Sequence, residues 1–252
     1  KSPEFLKNLS LLAMEAYEEE AAKKIASQYF TTQDNLFTKE NLMLLSQFAR
    51  DSKSKGFEIM LNEGAKVDAI LGEGAAAKMV LPIIMQEEVY AGISRSKQPN
   101  LDSLKQVVQA KYPTVELAEP FALLNVQLLQ GNQDWANFQP AVLDYMKKYG
   151  AKVSADYLNS FAWTVFENCK DKDCVSEALA WSKRSIDKTD GKAPAFIDTY
   201  ANLLYKSGNQ QEAVQWQQKA VDLAQTEDDN ATYRDTLMKM QKGEKTWPEG
   251  AQ

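Results

Sequence analysis

Between Pro194 and Ala224, small residues recur at intervals suited to two closely crossing helices: Ala201, Gly208, Ala213 and Ala220. Ala201 lies on a first helix and Ala213 and Ala220 on a second, where short side chains let the rods approach. Ile197, Leu204, Val214 and Val221 supply the apolar filling. Gly208 falls in the reversal Lys206-Ser207-Gly208-Asn209, where a left-handed residue ends the first helix. One such pair cannot bury both of its faces, so the chain must supply neighbours.

The neighbours are found upstream. Asp156 to Ser185 repeats the pattern, with Ala162 and Trp163 on a first helix and Ala178, Leu179 and Trp181 on a second, joined by the longer loop Asn168–Cys174. Further back, Gly131 and Ala136 reproduce the spacing of Gly208 and Ala213. Phe121, Leu124 and Leu128 precede them and Phe138, Val142 and Met146 follow, although Leu124 and Leu143 take two of the small-residue places. A fourth pair is expected at the N-terminus, Pro3–Glu15 and Glu19–Phe30, turning at Tyr17–Glu18.

This arrangement resembles the tetratricopeptide repeat, a unit of roughly thirty-four residues with small side chains at its eighth, twentieth and twenty-seventh places. With Pro194 as the first place, Ala201, Ala213 and Ala220 occupy those three. Gln217 departs from the pattern at the twenty-fourth, where a large apolar residue is usual. The resemblance implies an α-α superhelix whose inner wall, built from first helices, binds protein or peptide. On that register the wall carries Asp156, Asn159, Trp163, Phe166 and Glu167 from one unit, and Ala195, Asp198, Asn202, Tyr205 and Lys206 from the next. Family members that grip a C-terminal carboxylate do so with Asn and Lys. Asn202 and Lys206 match that set, whereas Asp198 and Trp163 do not, which leaves a groove of mixed aromatic and amide character. The candidate partner-binding residues are therefore Asn159, Trp163, Phe166, Asn202, Tyr205 and Lys206; the competing reading packs Trp163 and Phe166 against the preceding helices.

Residues 1–113 read as a less regular helical region, and residues 114–252 as the repeats with a capping helix. In the first region Phe37–Thr38 before Leu42 forms an N-cap with a hydrophobic staple, starting a helix that runs to about Asp51. Gly56, Gly64, Gly72 and Gly74 punctuate short apolar segments. Pro82 interrupts or kinks Ala75–Val89, and Pro113 stops an amphipathic stretch from Leu101 to Tyr112. In the second region, Asn230–Gln241 places Tyr233, Leu237 and Met240 on one face, as a terminal cap requires. No alternating apolar and polar run is flanked by hairpin signals, so the fold class is all-α.

Composition narrows the function. A net charge of −6 without a basic cluster argues against nucleic acid. The longest apolar run, Met79 to Met85, is too short to cross a bilayer. The chain has no histidine, which removes Ser-His-Asp and Cys-His nucleophiles, H-E-x-x-H zinc sites and imidazole proton shuttles. Glu87-Glu88 is a sequential pair that points two ways on a helix, and Gly72-Glu73-Gly74 lacks the strand and the Gly-Lys-Ser/Thr element of a phosphate loop. No catalytic residue, metal site or cofactor is expected.

Cys169 and Cys174 close the inventory. One falls at the end of a helix and the other at the start of the next, with Asp173 as the expected N-cap, so they are a candidate disulfide. Two free thiols, a redox role or a metal site are the alternatives; if both are reduced, the helix N-terminus favours Cys174 as the more reactive. Their spacing is not the Cys-x-x-Cys of thioredoxins. Even so, the series Leu158–Trp163, Glu177–Ser185 and Asp198–Tyr205 resembles the helical extension of certain bacterial exported thioredoxin-like proteins. That resemblance implies an extracytoplasmic setting, periplasm or cell envelope, which a chain opening at Lys1 without an export segment fits as a processed or truncated form. Two readings result: a non-enzymatic protein-interaction scaffold, or the helical accessory region of a thiol-disulfide oxidoreductase whose catalytic domain lies elsewhere.

Overall fold

In the computed structural model, which describes residues 1–95, 99–169 and 171–248, the protein is all-α, and no strand forms among those residues. None of the described helices is long and apolar enough to cross a membrane. The chain divides into two compact units, Lys1–Leu117 and Ala118–Gln252.

The first unit opens with the antiparallel pair α1 (Pro3–Glu15) and α2 (Glu19–Thr31), reversed through Tyr17 at a left-handed φ of 61°. It continues through α3 (Lys39–Phe48), α4 (Lys55–Asn62), α5 (Gly64–Leu71) and α6 (Ala75–Ile84). A π-helical stretch, Met85–Tyr90, then leads into α7 (Ala91–Ser94), and α8 (Leu101–Lys111) completes the unit. Thr38 caps α3 as its sequence requires, its hydroxyl accepting from the Asn41 amide at 3.2 Å. The helix ends at Phe48, short of Asp51, because Asp51 belongs to the next turn: its carboxylate accepts from the Lys53 amide at 3.0 Å and its carbonyl from the Ser54 hydroxyl at 2.7 Å. Pro82 does not end α6. The ring removes one backbone donor, and the helix widens into the π-helical stretch shortly afterwards before resuming as α7.

One glycine-based expectation changes. Gly56 lies inside α4 instead of punctuating it, where a Cβ would sit 2.5 Å from the Leu45 carbonyl oxygen and 2.9 Å from the Ala49 Cβ; its bare Cα lets α4 cross α3. Gly56→Ala is therefore expected to destabilise the first unit by about 2 kcal/mol, read as a lower urea midpoint at unchanged m-value. Gly72-Glu73-Gly74 joins α5 to α6: the Gly72 amide bonds the Asp68 carbonyl at 2.9 Å, and the Asp68 carboxylate accepts from Gly74 at 2.9 Å and from Ala76 at 2.8 Å, capping α6. These backbone bonds hold the Asp68 carboxyl below its usual range. Glu87 and Glu88 do diverge, Glu87 accepting from the Ser52 amide at 3.0 Å and Glu88 pairing with Lys111.

The second unit runs α9 (Ala118–Gly131), α10 (Trp135–Tyr149), a 3₁₀ turn Gly150–Lys152, α11 (Ala155–Asn168), α12 (Lys172–Asp187), α13 (Pro194–Lys206), α14 (Gln210–Leu223) and α15 (Glu227–Lys242). Each helix packs on the next. In addition α11 touches α13 and α10 touches α12, the alternate contacts of stacked helix pairs. Ala162, Ala178, Ala201, Ala213 and Ala220 are completely buried at the crossings, with Ser185 in the corresponding place seven residues after Ala178.

Gly208 adopts φ 95°, with its amide on the Tyr205 carbonyl at 3.1 Å and the Asn209 amide on the Leu204 carbonyl at 2.9 Å, a Schellman reversal. Between α9 and α10 the same bonding pattern centres on Gln133 (φ 57°), not on Gly131. The register of that pair is thus displaced by two residues from the one read in the sequence. Phe138, not Ala136, occupies the buried crossing, and Ala136 is exposed. At the other end, Thr226 caps α15, which buries Tyr233, Leu237 and Met240 against the preceding helices.

Candidate functional site

The sequence places six candidate residues along α11 and α13. The structure buries Phe166, Asn202 and Tyr205 and leaves Asn159, Trp163 and Lys206 half-buried. Three of the six, Phe166, Tyr205 and Lys206, converge on one further residue, Trp247, and Trp163 packs beside Phe166. The Trp163 and Phe166 rings lie 4.9 Å apart, tilted at 43°. The Trp247 ring meets Phe166 edge-on at 6.4 Å and lies 6.3 Å from the Tyr205 ring, tilted at 58°. The Lys206 ammonium stands 5.5 Å from the centroids of both Phe166 and Trp247, and it donates to the Phe166 carbonyl. Each such cation–π contact contributes about 0.5–2 kcal/mol according to its exposure.

Trp247 reaches this position because Gly243, at φ 75°, ends α15 in a further Schellman reversal: the Glu244 amide bonds the Lys239 carbonyl at 2.9 Å and the Gly243 amide bonds that of Met240 at 3.2 Å. Residues 244–248, without helix, then fold back over the helices. The indole packs against both the cluster containing Phe166, Cys169 and Trp181 and the one containing Tyr205 and Met240. The hydroxyl of Thr246 beside it is buried without a hydrogen-bond partner. Sequence reasoning passed over Trp247; its one signal is a bulky aromatic following a glycine stop in a charged tail.

Asn202 does not face a groove. Its amide donates to the Asp198 carbonyl at 3.0 Å, and it belongs to a buried polar cluster in which Gln217 Nε2 donates to Asp198 Oδ1 at 2.7 Å and to the Tyr233 carbonyl at 3.1 Å. Two departures from the repeat pattern, Asp198 on α13 and Gln217 on α14, thereby explain each other: a carboxylate where the wall is expected requires a donor where an apolar residue is usual. Burial pushes the Asp198 carboxyl up to about 6 against the opposing pull of the Gln217 and Asn202 amides. The carbonyl oxygens of Asn202 and Gln217 stay without a donor in this cluster. Asn159 likewise keeps an unpartnered buried oxygen. Burial also raises the Glu167 carboxyl, which accepts a bond from the Trp163 side chain.

The two cysteines are brought together as buried free thiols. The residue capping α12 is Asp171, accepting from the Asp173 amide at 2.8 Å, and not Asp173 itself; Lys170 in the expected loop lies outside the described residues. Cys174, expected to be the more reactive of the pair if both are reduced, is enclosed by the core. Burial, followed by the adjacent Cys169 and Asp171, drives its thiol well above the usual range and outweighs the nearby Lys206 charge. The native chain is expected to leave both thiols unreacted with an aromatic disulfide reagent on the minute timescale and to release two equivalents on denaturation without reductant. One rapidly titrating thiol in the native chain would contradict this.

A small cavity of about 240 Å³ adjoins the pair, walled by Trp135, Phe138, Gln139 and Asn168. The first unit holds another, of about 680 Å³, with Ala26, Phe30, Leu45 and Phe48 as apolar lining and Lys23 and Asp51 among its charged residues. No family model and no curated protein matches the chain.

Proposed function

We propose that residues 118–252 act as a non-enzymatic protein-interaction scaffold, holding an extended peptide segment of a partner against the wall formed by α11 and α13. The observation that carries this reading is the seat of Trp247: the indole of a segment without helix already rests on that wall, between the Phe166 and Tyr205 rings and the Lys206 ammonium. Large aromatic anchors in preformed pockets are what short peptide motifs use to bind such surfaces. The stacked helix pairs, with alanines at their crossings, support a tetratricopeptide-like reading of this unit. Relative to the sequence-derived groove, the proposed contact surface drops Asn202 and adds Trp247's seat.

A random peptide library selected against the chain carrying Trp247→Ala, which vacates the seat, tests the reading. Selected peptides are expected to lose about tenfold in affinity or more when Lys206→Met or Trp163→Ala is added, with helical circular dichroism retained. Affinities indifferent to both changes would place binding elsewhere and refute it.

A further inference from the structure

We infer that the segment Glu244–Pro248 is a built-in pseudo-ligand: it occupies the α11/α13 wall in cis and must leave before a partner peptide, carrying its own tryptophan or comparably large aromatic anchor, can bind. This rests on the scaffold reading and adds to it a regulation and a chemical class of partner. Three observations carry it. The Gly243 reversal turns the chain back toward the wall, so that the tail's path is set by a helix stop and not by a long excursion. Trp247 is only half-buried, and its two flanking residues Thr246 and Pro248 are half-buried and exposed, so it seats as a plug seats and not as a core side chain does. Its neighbours Phe166, Tyr205 and Lys206 offer a set complementary to a flat, electron-rich ring: one perpendicular ring, one tilted ring and a cation.

The buried hydroxyl of Thr246, without a partner, weakens the seated tail relative to a peptide that satisfies the same wall. The tail compensates by proximity. A tether of a few residues holds its anchor at an effective concentration of roughly millimolar, so a weak cis contact excludes all but tighter or abundant competitors.

The test uses a dye-labelled synthetic peptide of the tail sequence, Glu-Lys-Thr-Trp-Pro, and its tryptophan-to-alanine counterpart, read by anisotropy against the full chain. Trp247→Ala is expected to raise the affinity for the tail peptide about tenfold or more over the unsubstituted chain, with no gain for the alanine peptide. Trp247→Phe, which keeps an aromatic plug, is expected to stay closed. Adding Lys206→Met to the Trp247→Ala chain is expected to weaken the regained binding several-fold. Thr246→Lys, which evicts the tail while leaving every ring in place, carries the same test should Trp247→Ala lose helical signal. If both opening routes melt the second unit, Trp247 is core filling and the inference fails. If library-selected peptides bind the open and unsubstituted chains equally, the gating is overturned while the scaffold reading stands. If the open chain selects no peptide dependent on Lys206, the scaffold reading itself falls.

Discussion

Asp198→Asn is expected to stabilise the protein at neutral pH by about 3 kcal/mol and to abolish a pH dependence of folding between about pH 4 and 6. In the native chain the carboxyl, raised from its ordinary 3.8 to about 6, holds its proton more tightly when folded than when unfolded. Folding stability contributed by this group is therefore highest in acid, declines as pH climbs through that interval, and is least once the buried group is ionised. An asparagine there has no charge to bury. It also brings a donor into a cluster where the Asn202 and Gln217 oxygens have none. The complementary change, Gln217→Leu, strands the carboxylate without its 2.7 Å donor and is expected to remove about 2–3 kcal/mol at pH 7.5 and much less at pH 4.5. Urea titrations at the two pH values decide both. Parallel pH profiles for the native chain and the Asp198→Asn variant would show that the carboxyl is not the titrating group. Asp198→Leu combined with Gln217→Leu removes both polar groups together and is expected to lie far closer to the native stability than Gln217→Leu alone.

Ala213→Leu is expected to cost about 3 kcal/mol, whereas Ala136→Leu, at the same distance after a glycine, is expected to change stability by about 0.5 kcal/mol or less. Ala213 is fully enclosed between α13 and α14, and three added carbons have no space there. Ala136 faces solvent because the left-handed turn residue is Gln133. Chemical denaturation of the two variants compares buried and exposed alanines directly. Equal losses would mean that the displaced register of α9 and α10 is wrong.

That contrast locates where the sequence is legible. Small residues at a helix crossing announce themselves when the turn is marked by glycine, as at Gly208, because no other residue enters the left-handed region as cheaply. The α13–α14 pair is accordingly read closely, and the cap α15, expected from Asn230, begins three residues earlier at Glu227. Gln133 enters the same region without such a marker, so Gly131 attracts the assignment and the register slips. Around the site, Phe166, Tyr205 and Lys206 are legible as a cluster from repeat positions alone. What is illegible is their shared neighbour Trp247, far along the chain, since no periodicity links a tail to a wall. Asn202 fails for a different reason. Its side chain belongs to a buried network completed from another helix by Gln217, and long-range polar pairing leaves no local pattern. Cys174 shows the same limit: the helix start lowers a thiol's pKa only while water reaches it, and enclosure by the surrounding core reverses the balance.

The double bond-making of Gln217 bears on how freely this array can be recombined. Ideal helical repeats are interchangeable cassettes, joined by apolar surfaces that any neighbour of similar shape can replace. Here one amide on α14 serves a carboxylate on α13 and a carbonyl on α15, so the last three helices form a keyed block. A cassette spliced between α14 and α15 would part the amide from its second acceptor, whereas a join ahead of α13 leaves the key intact, and lengthened versions of this scaffold should be cut there.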